Sequence, residues 1–170
     1  MAENRDEIDE RIAAWGDDLA GVDLGVEGIV ERIHLIHKRI RRMLDDTLAE
    51  FGLNVGEWAV LGSLVRAGSP YRRSPSHLAK SCGLTSGAMT NRLDRLEAEE
   101  FIRRLPDPDD RRGVIVELTP EGRQIWGRSI GAQAAKEAFV ASGLNKHEQG
   151  QLNALLRRMV HSSEQAATLE

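Results

Sequence analysis

Apolar positions recur at helical spacing through most of this 170-residue chain, and glycine, proline and capping residues break the pattern into segments. Ile8, Ile12, Trp15 and Leu19 mark a short amphipathic helix over residues 7–20, which Gly-Val-Asp-Leu-Gly interrupts. A second stripe of Ile29, Val30, Ile33, Ile36, Ile40, Met43, Leu44 and Leu48 predicts a long helix over 26–51, ended by Gly52. That helix carries more apolar surface than a small domain needs to bury, and its other face holds Lys38, Arg39, Arg41 and Arg42. A shorter helix follows with Trp58, Leu61 and Leu64 facing inward. Ser-Pro-Tyr-Arg-Arg-Ser-Pro-Ser at 69–76 reads as a loop.

Next comes a compact pair of helices. Ser74 caps one that starts at Pro75 and stops at Gly83, and Thr85 caps a longer one that runs to Glu100. Helix, glycine-containing turn, helix is the helix-turn-helix pattern. The period then shortens. Phe-Ile-Arg-Arg-Leu and Val-Ile-Val-Glu-Leu-Thr are strand-like, and the eight residues 106–113, Pro-Asp-Pro-Asp-Asp-Arg-Arg-Gly, join them as a hairpin. Thr119 and Pro120 open a helix over 120–142. Asn145 and Glu148 form a capping box for a last helix over 146–162, with Leu152, Leu155, Leu156, Met159 and Val160 on its apolar side.

In steps of about 100° per residue, Met89, Leu93 and Leu96 define the buried side of the second helix of the pair. The opposite side holds Gly87, Asn91, Asp94 and Arg95, with Ser86, Ala88 and Thr90 at its flanks, and its N-terminal part is small or hydrogen-bonding. Small residues let another backbone approach, Asn pairs bidentately with adenine, and Thr or Ala meets the thymine methyl. This is the chemistry of a recognition helix in a major groove. The hairpin after it fits a wing beside that helix. Arg111 and Arg112 at its tip suit a narrow minor groove, and Asp110 is close enough to orient Arg112 by a charge-assisted bond.

Composition alters this picture in one respect. The net charge of −4 argues superficially against a nucleic-acid partner. Between Arg66 and Arg112, however, ten Lys/Arg stand against seven Asp/Glu, a local balance of +3 beside the presumptive groove-reading elements. No apolar run reaches the length of a membrane span, and the acidic N-terminus is no secretory signal. A single cysteine, Cys82, excludes an internal disulfide framework. A cytoplasmic protein without a membrane partner is the expectation, mainly α-helical with a small β-hairpin wing, as a single domain spanning 1–170.

The segment from Ser74 to Arg123, and above all Asp-Asp-Arg-Arg-Gly-Val-Ile-Val-Glu-Leu-Thr-Pro-Glu-Gly, closely resembles the MarR family of bacterial transcriptional regulators, and the likeness extends over residues 26–160. The resemblance implies a winged helix-turn-helix lobe over 53–119 and a homodimer joined through helices 26–51 and 120–162. It further implies double-stranded DNA with a palindromic operator as the partner. The extra N-terminal helix within 1–24 is similar to the branch that responds to urate and related purines. That likeness implies a small anionic or aromatic effector held by Trp15, Arg92 and Arg104. Ala59 stands where that branch carries an acid, so urate itself is not the expected ligand.

Single residues elsewhere admit other chemistry. His34 and His37 lie three apart on one helix, but two ligands make no metal site without His147, His161 or nearby acids converging on them. Cys82 reads as a buried structural thiol rather than a redox sensor. No phosphate loop, nucleophile elbow or metal motif points to an enzyme or a cofactor. A redox- or metal-sensing regulator of the same fold and a DNA-architectural protein without an effector are the alternatives.

Overall fold

The computed structural model describes residues 5–15, 21–108, 110 and 113–166. Two compact units divide the chain, Met1–Trp126 and Gly127–Glu170.

The first unit opens with α1 (Glu7–Trp15), which packs on α2 (Leu24–Ala49). The expected first helix extends to residue 20, and positions 16–20 lie outside the described residues. Ile8 is buried, and four ion pairs flank it. Arg32 of α2 reaches both Asp6 (2.8 Å) and Asp9 (2.6 Å), Arg39 pairs with Glu7, and Arg11 of α1 reaches back to Glu31 (3.0 Å). Asp23 caps α2 by accepting from the Gly25 and Val26 amides. Gly52, at φ +68°, turns the chain away at its end, where the Leu53 amide bonds back to Leu48.

Helix α3 (Val55–Arg66) starts on a capping box: Asn54 Oδ1 accepts from the Glu57 amide, and the Glu57 carboxylate accepts from the Asn54 amide. The pair α4 (Pro75–Ser81) and α5 (Ser86–Ala98) starts on the expected caps, Ser74 and Thr85, with Gly83 at φ +64° between them. Met89, Leu93 and Leu96 of α5 are buried, as their spacing requires, among Leu48, Val60, Leu61, Leu64, Leu78, Ile102 and Val116. Each such side chain withdrawn from water contributes roughly 1.5–3 kcal/mol.

The hairpin is β2 (Ile102–Pro106) and β3 (Val114–Leu118), antiparallel in the register Ile102↔Leu118 to Pro106↔Val114. The segment expected to be a loop contains a third strand, β1 (Arg72–Arg73), paired with the far edge of β3. Glu117 of the central strand therefore lies opposite Arg72 on one side and Arg103 on the other, and binds both guanidiniums. Burial pushes the Glu117 carboxyl up, but the two arginines outweigh it and hold it below the usual range. Thr119 caps α6 (Pro120–Val140) by accepting from the Gly122 amide at 2.9 Å.

The second unit contains the rest of α6 and α7 (Lys146–Ala166), which starts on the expected Asn145–Glu148 capping box. Leu152, Leu155, Leu156, Met159 and Val160 are exposed along α7, and Phe139 of α6 is 78% exposed. In the first unit, Val26, Ile29, Val30, Ile33 and Ile36 form a similar exposed apolar face on α2.

Candidate nucleic-acid interface

The exposed side of α5 begins with the residues expected to read DNA. Ser86, Gly87, Thr90, Asn91 and Arg95 are exposed and Ala88 is half-buried. The Thr90 hydroxyl donates back to the Ser86 carbonyl at 3.0 Å. Gly87 is informative because the fold does not call for it. A β-carbon there would meet nothing within 4 Å, and its φ is not positive. A glycine inside a helix costs about 0.5–1 kcal/mol relative to alanine. Its use here fits close approach of an external backbone.

Arg95 is anchored from behind. Its Nε lies 3.1 Å from Oε1 of Glu57, an α3 carboxylate that is only 2% exposed. The two atoms are close enough for an ion pair but not aligned for a hydrogen bond, and Glu57 Oε1 has no hydrogen-bond partner. Sequence reasoning missed Glu57. Its one available signal was the Asn-x-x-Glu spacing of a capping box, which explains the acid at that position but not its second role.

Of the wing, β2 and β3 are described up to a turn in which Asp107 N donates to Gly113 O (3.0 Å) and Gly113 N to Asp110 O (2.8 Å). Gly113 is needed there, since a β-carbon would stand 2.8 Å from that of Asp107. Asp110 is exposed. Arg111 and Arg112 lie outside the described residues, and with them the expected Asp110–Arg112 orientation.

The three residues expected to hold an effector have separate surroundings. Trp15, 39% exposed, is the last described residue of α1. Arg92 is half-buried, with its guanidinium directly over the α-carbon of Gly56: a β-carbon there would come within 2.1 Å of Arg92 Nε. That Nε is buried and has no acceptor. Arg104 is engaged locally, with Nη2 on Asp94 (2.7 Å), Nη1 on Glu97, and its amide on Glu97 (2.9 Å). Burial works against the Arg104 charge, and its bonds to the Asp94 and Glu97 carboxylates outweigh it, raising its pKa. No described hydrogen bond or ion pair links Trp15, Arg92 and Arg104 to one another.

Cys82 differs from its expected burial. It is the half-buried C-cap of α4, packed at the edge of the core with its thiol 3.8 Å from Ser81 Oγ, because the helix ends one residue earlier than full burial would need. Among the described residues no three His, Cys, Asp or Glu side chains converge to hold a metal ion, and no helix is long and apolar enough to cross a membrane.

Comparison with known proteins places this geometry. The model of the MarR family matches residues 51–113. The transcriptional regulator PecS of Dickeya dadantii is 31% identical over 156 residues, which cover 90% of this chain and 92% of that protein. The crystal structure of YusO from Bacillus subtilis superimposes with a TM-score of 0.72 over 83% of this chain and 98% of its own, a likeness of fold alone at 23% identity. A mutant MarR from Escherichia coli, solved in complex with operator DNA, is 29% identical with a TM-score of 0.61, over 81% of this chain and 99% of its own.

Proposed function

The chain belongs to the MarR family of DNA-binding transcriptional regulators, and from that premise we propose that it is a ligand-responsive repressor binding a palindromic operator as a homodimer. The observation that carries the reading is the N-terminal face of α5. It is small, exposed and hydrogen-bonding, with a glycine at its centre that packing does not explain. Ser86, Gly87, Ala88, Thr90, Asn91 and Arg95 enter the major groove. The wing, through Asp110, Arg111 and Arg112, reaches the adjacent minor groove. The operator-bound relative supports this docking.

Two recognition helices require two copies of the chain. The exposed apolar faces of α2 and α7 supply the surface, since patches of that kind are rarely left open to water. A two-fold dimer presents identical elements to half-sites about one helical turn apart, and so reads a palindrome.

The effector is a small anionic or aromatic molecule, and Arg92 is its anchor. Its buried Nε donates to nothing, and an anion accepting that bond would be held beside the inner side of the recognition helix. Trp15 and Arg104 complete the set, with Arg104 released from Asp94 and Glu97 on binding. An effector that prefers the DNA-incompetent arrangement lowers DNA affinity by the factor of its own preference.

Footprinting on the DNA upstream of the chain's own gene tests the reading. A protected palindrome, released by an aromatic anion from the wild type but not from Arg92→Ala, is the expected outcome. No protected palindrome overturns the repressor reading, and equal release from both proteins moves the effector away from Arg92.

A further inference from the structure

A cleft of about 680 Å³ opens in the first unit, away from the recognition helix, between the α3–β1 turn, the end of β3 and the first turns of α6. Its size lies in the range that holds small molecules. Pro70, Tyr71, Leu118, Thr119 and Arg123 are among its lining residues, and none of them belongs to the effector set of Trp15, Arg92 and Arg104.

Two features of this cleft bear on what it could hold. The first is Tyr71. Its φ is +61°, a left-handed conformation that glycine adopts freely and that is uncommon for a bulky residue. The conformation is held from both ends: Tyr71 N donates to Gly68 O (2.6 Å), and Tyr71 O accepts from Leu118 N (3.1 Å). The ring packs in part against the core and also lines the cleft, so a bulky aromatic stands where the turn alone would take glycine. The second is Arg123. Its guanidinium lies 5.0 Å from the Tyr71 ring centroid, and it pairs with no acid among the described residues. The one carboxylate lining the cleft, Glu117, is already engaged by Arg72 and Arg103. The nearest acid of α6 in sequence, Glu121, does not line it.

We propose that this cleft is a second small-molecule site, for a planar aromatic carboxylate of one or two rings. Stacking on Tyr71 occupies one face of the guanidinium and leaves its N–H edge free to take a carboxylate in a two-point bond. The rings of the ligand lie against Tyr71, Pro70 and Leu118, which supply the apolar wall. Because these residues belong to the turn, to β3 and to the segment leading into α6, an occupant ties the root of the three-stranded sheet together. The site is independent of the repressor reading, and binding to it is measurable without DNA.

The test is titration of the full chain with 2-naphthoate, followed by calorimetry and by NMR shifts, on the wild type and four variants whose fold is checked by circular dichroism. The wild type binds, and Arg123→Gln and Tyr71→Gly weaken binding more than tenfold, the glycine keeping the backbone conformation while removing the ring. Tyr71→Phe keeps the wild-type affinity, and Arg92→Ala keeps the wild-type NMR shifts at Tyr71, Leu118 and Arg123, whatever it loses at the effector anchor. The neutral 2-naphthamide binds at least tenfold more weakly than the acid. Absence of 2-naphthoate binding at millimolar concentration overturns the proposal. So does unchanged affinity in Arg123→Gln, or loss of the cleft shifts in Arg92→Ala alone, which would assign the ligand to the effector anchor instead.

Discussion

At Gly122 a β-carbon would stand 2.0 Å from the carbonyl oxygen of Phe101, backbone that cannot move aside as a side chain can. Gly122→Ala is therefore expected to destabilise the fold by about 2–4 kcal/mol, measured by denaturant unfolding. Gly87 is the opposite case. With open space around it, Gly87→Ala should leave stability unchanged or raise it by up to ~1 kcal/mol. The same substitution should weaken operator binding about tenfold, or ~1.4 kcal/mol, because the methyl meets DNA rather than protein. A variant equally stable and equally tight would show that no backbone approaches there. At the wing, Arg112→Ala should cost roughly 1–3 kcal/mol of binding. Asp110→Ala should cost less, and nothing further once Arg112 is gone; strict additivity in that double-mutant cycle would refute an orienting role. The residue-level features legible in the sequence were those set by local spacing: the caps Ser74, Thr85 and Asn145, and the inner stripe of α5. Glu57 behind Arg95, and Arg92 on Gly56, were not legible, because each contact joins residues more than thirty positions apart and only the packing of α3 on α5 brings them together.

Among the elements, α1 is held to α2 by charge around a single buried isoleucine. Hydrogen bonds from Arg32 hold the Asp6 carboxyl at about 2, below its ordinary 3.8, and lower that of Asp9. A carboxylate depressed in this way stabilises the docked helix above its ordinary value and loses that contribution as pH falls toward the folded value. Amide protection in residues 7–15, taken relative to the intrinsic exchange rate at each pH, should accordingly fall between pH 3.8 and about 2, and also with added salt, since these pairs are exposed. Protection that is flat across that range would leave Ile8 as the anchor. Strand β1 shows what pattern reading misses at this scale. Two arginines have no apolar alternation to signal a strand, and the pairing exists only because β3 offers a free edge with Glu117 opposite Arg72. The helices, by contrast, carried their own signals in periodicity and caps, and the ends of α2 to α7 fell within a few residues of expectation.

For the whole molecule, the apolar faces of α2 and α7 are the feature that a lone chain leaves unexplained. A charged residue in a two-fold interface is buried twice without a partner. Ile33→Glu or Leu155→Glu should thus yield monomers that no longer bind the operator, as read by sedimentation. Folded, dimeric, DNA-competent variants would place the interface elsewhere. The excess of apolar surface was legible from the long stripe of α2, whereas its partner surface was not, because a sequence records the need for burial and not the geometry that meets it. The central claim, a dimer that reads a palindrome largely through phosphate and groove contacts, is tested most directly by one titration. Equilibrium binding to a duplex carrying the upstream palindrome is compared with a scrambled duplex over a series of salt concentrations. Two chains should bind each palindrome, with an affinity that falls linearly in log–log form with salt, as phosphate contacts release counterions. The palindrome should be preferred by at least about a thousandfold over the scrambled duplex. A single chain bound with an affinity independent of salt, or equal affinity for the two duplexes, would contradict that claim.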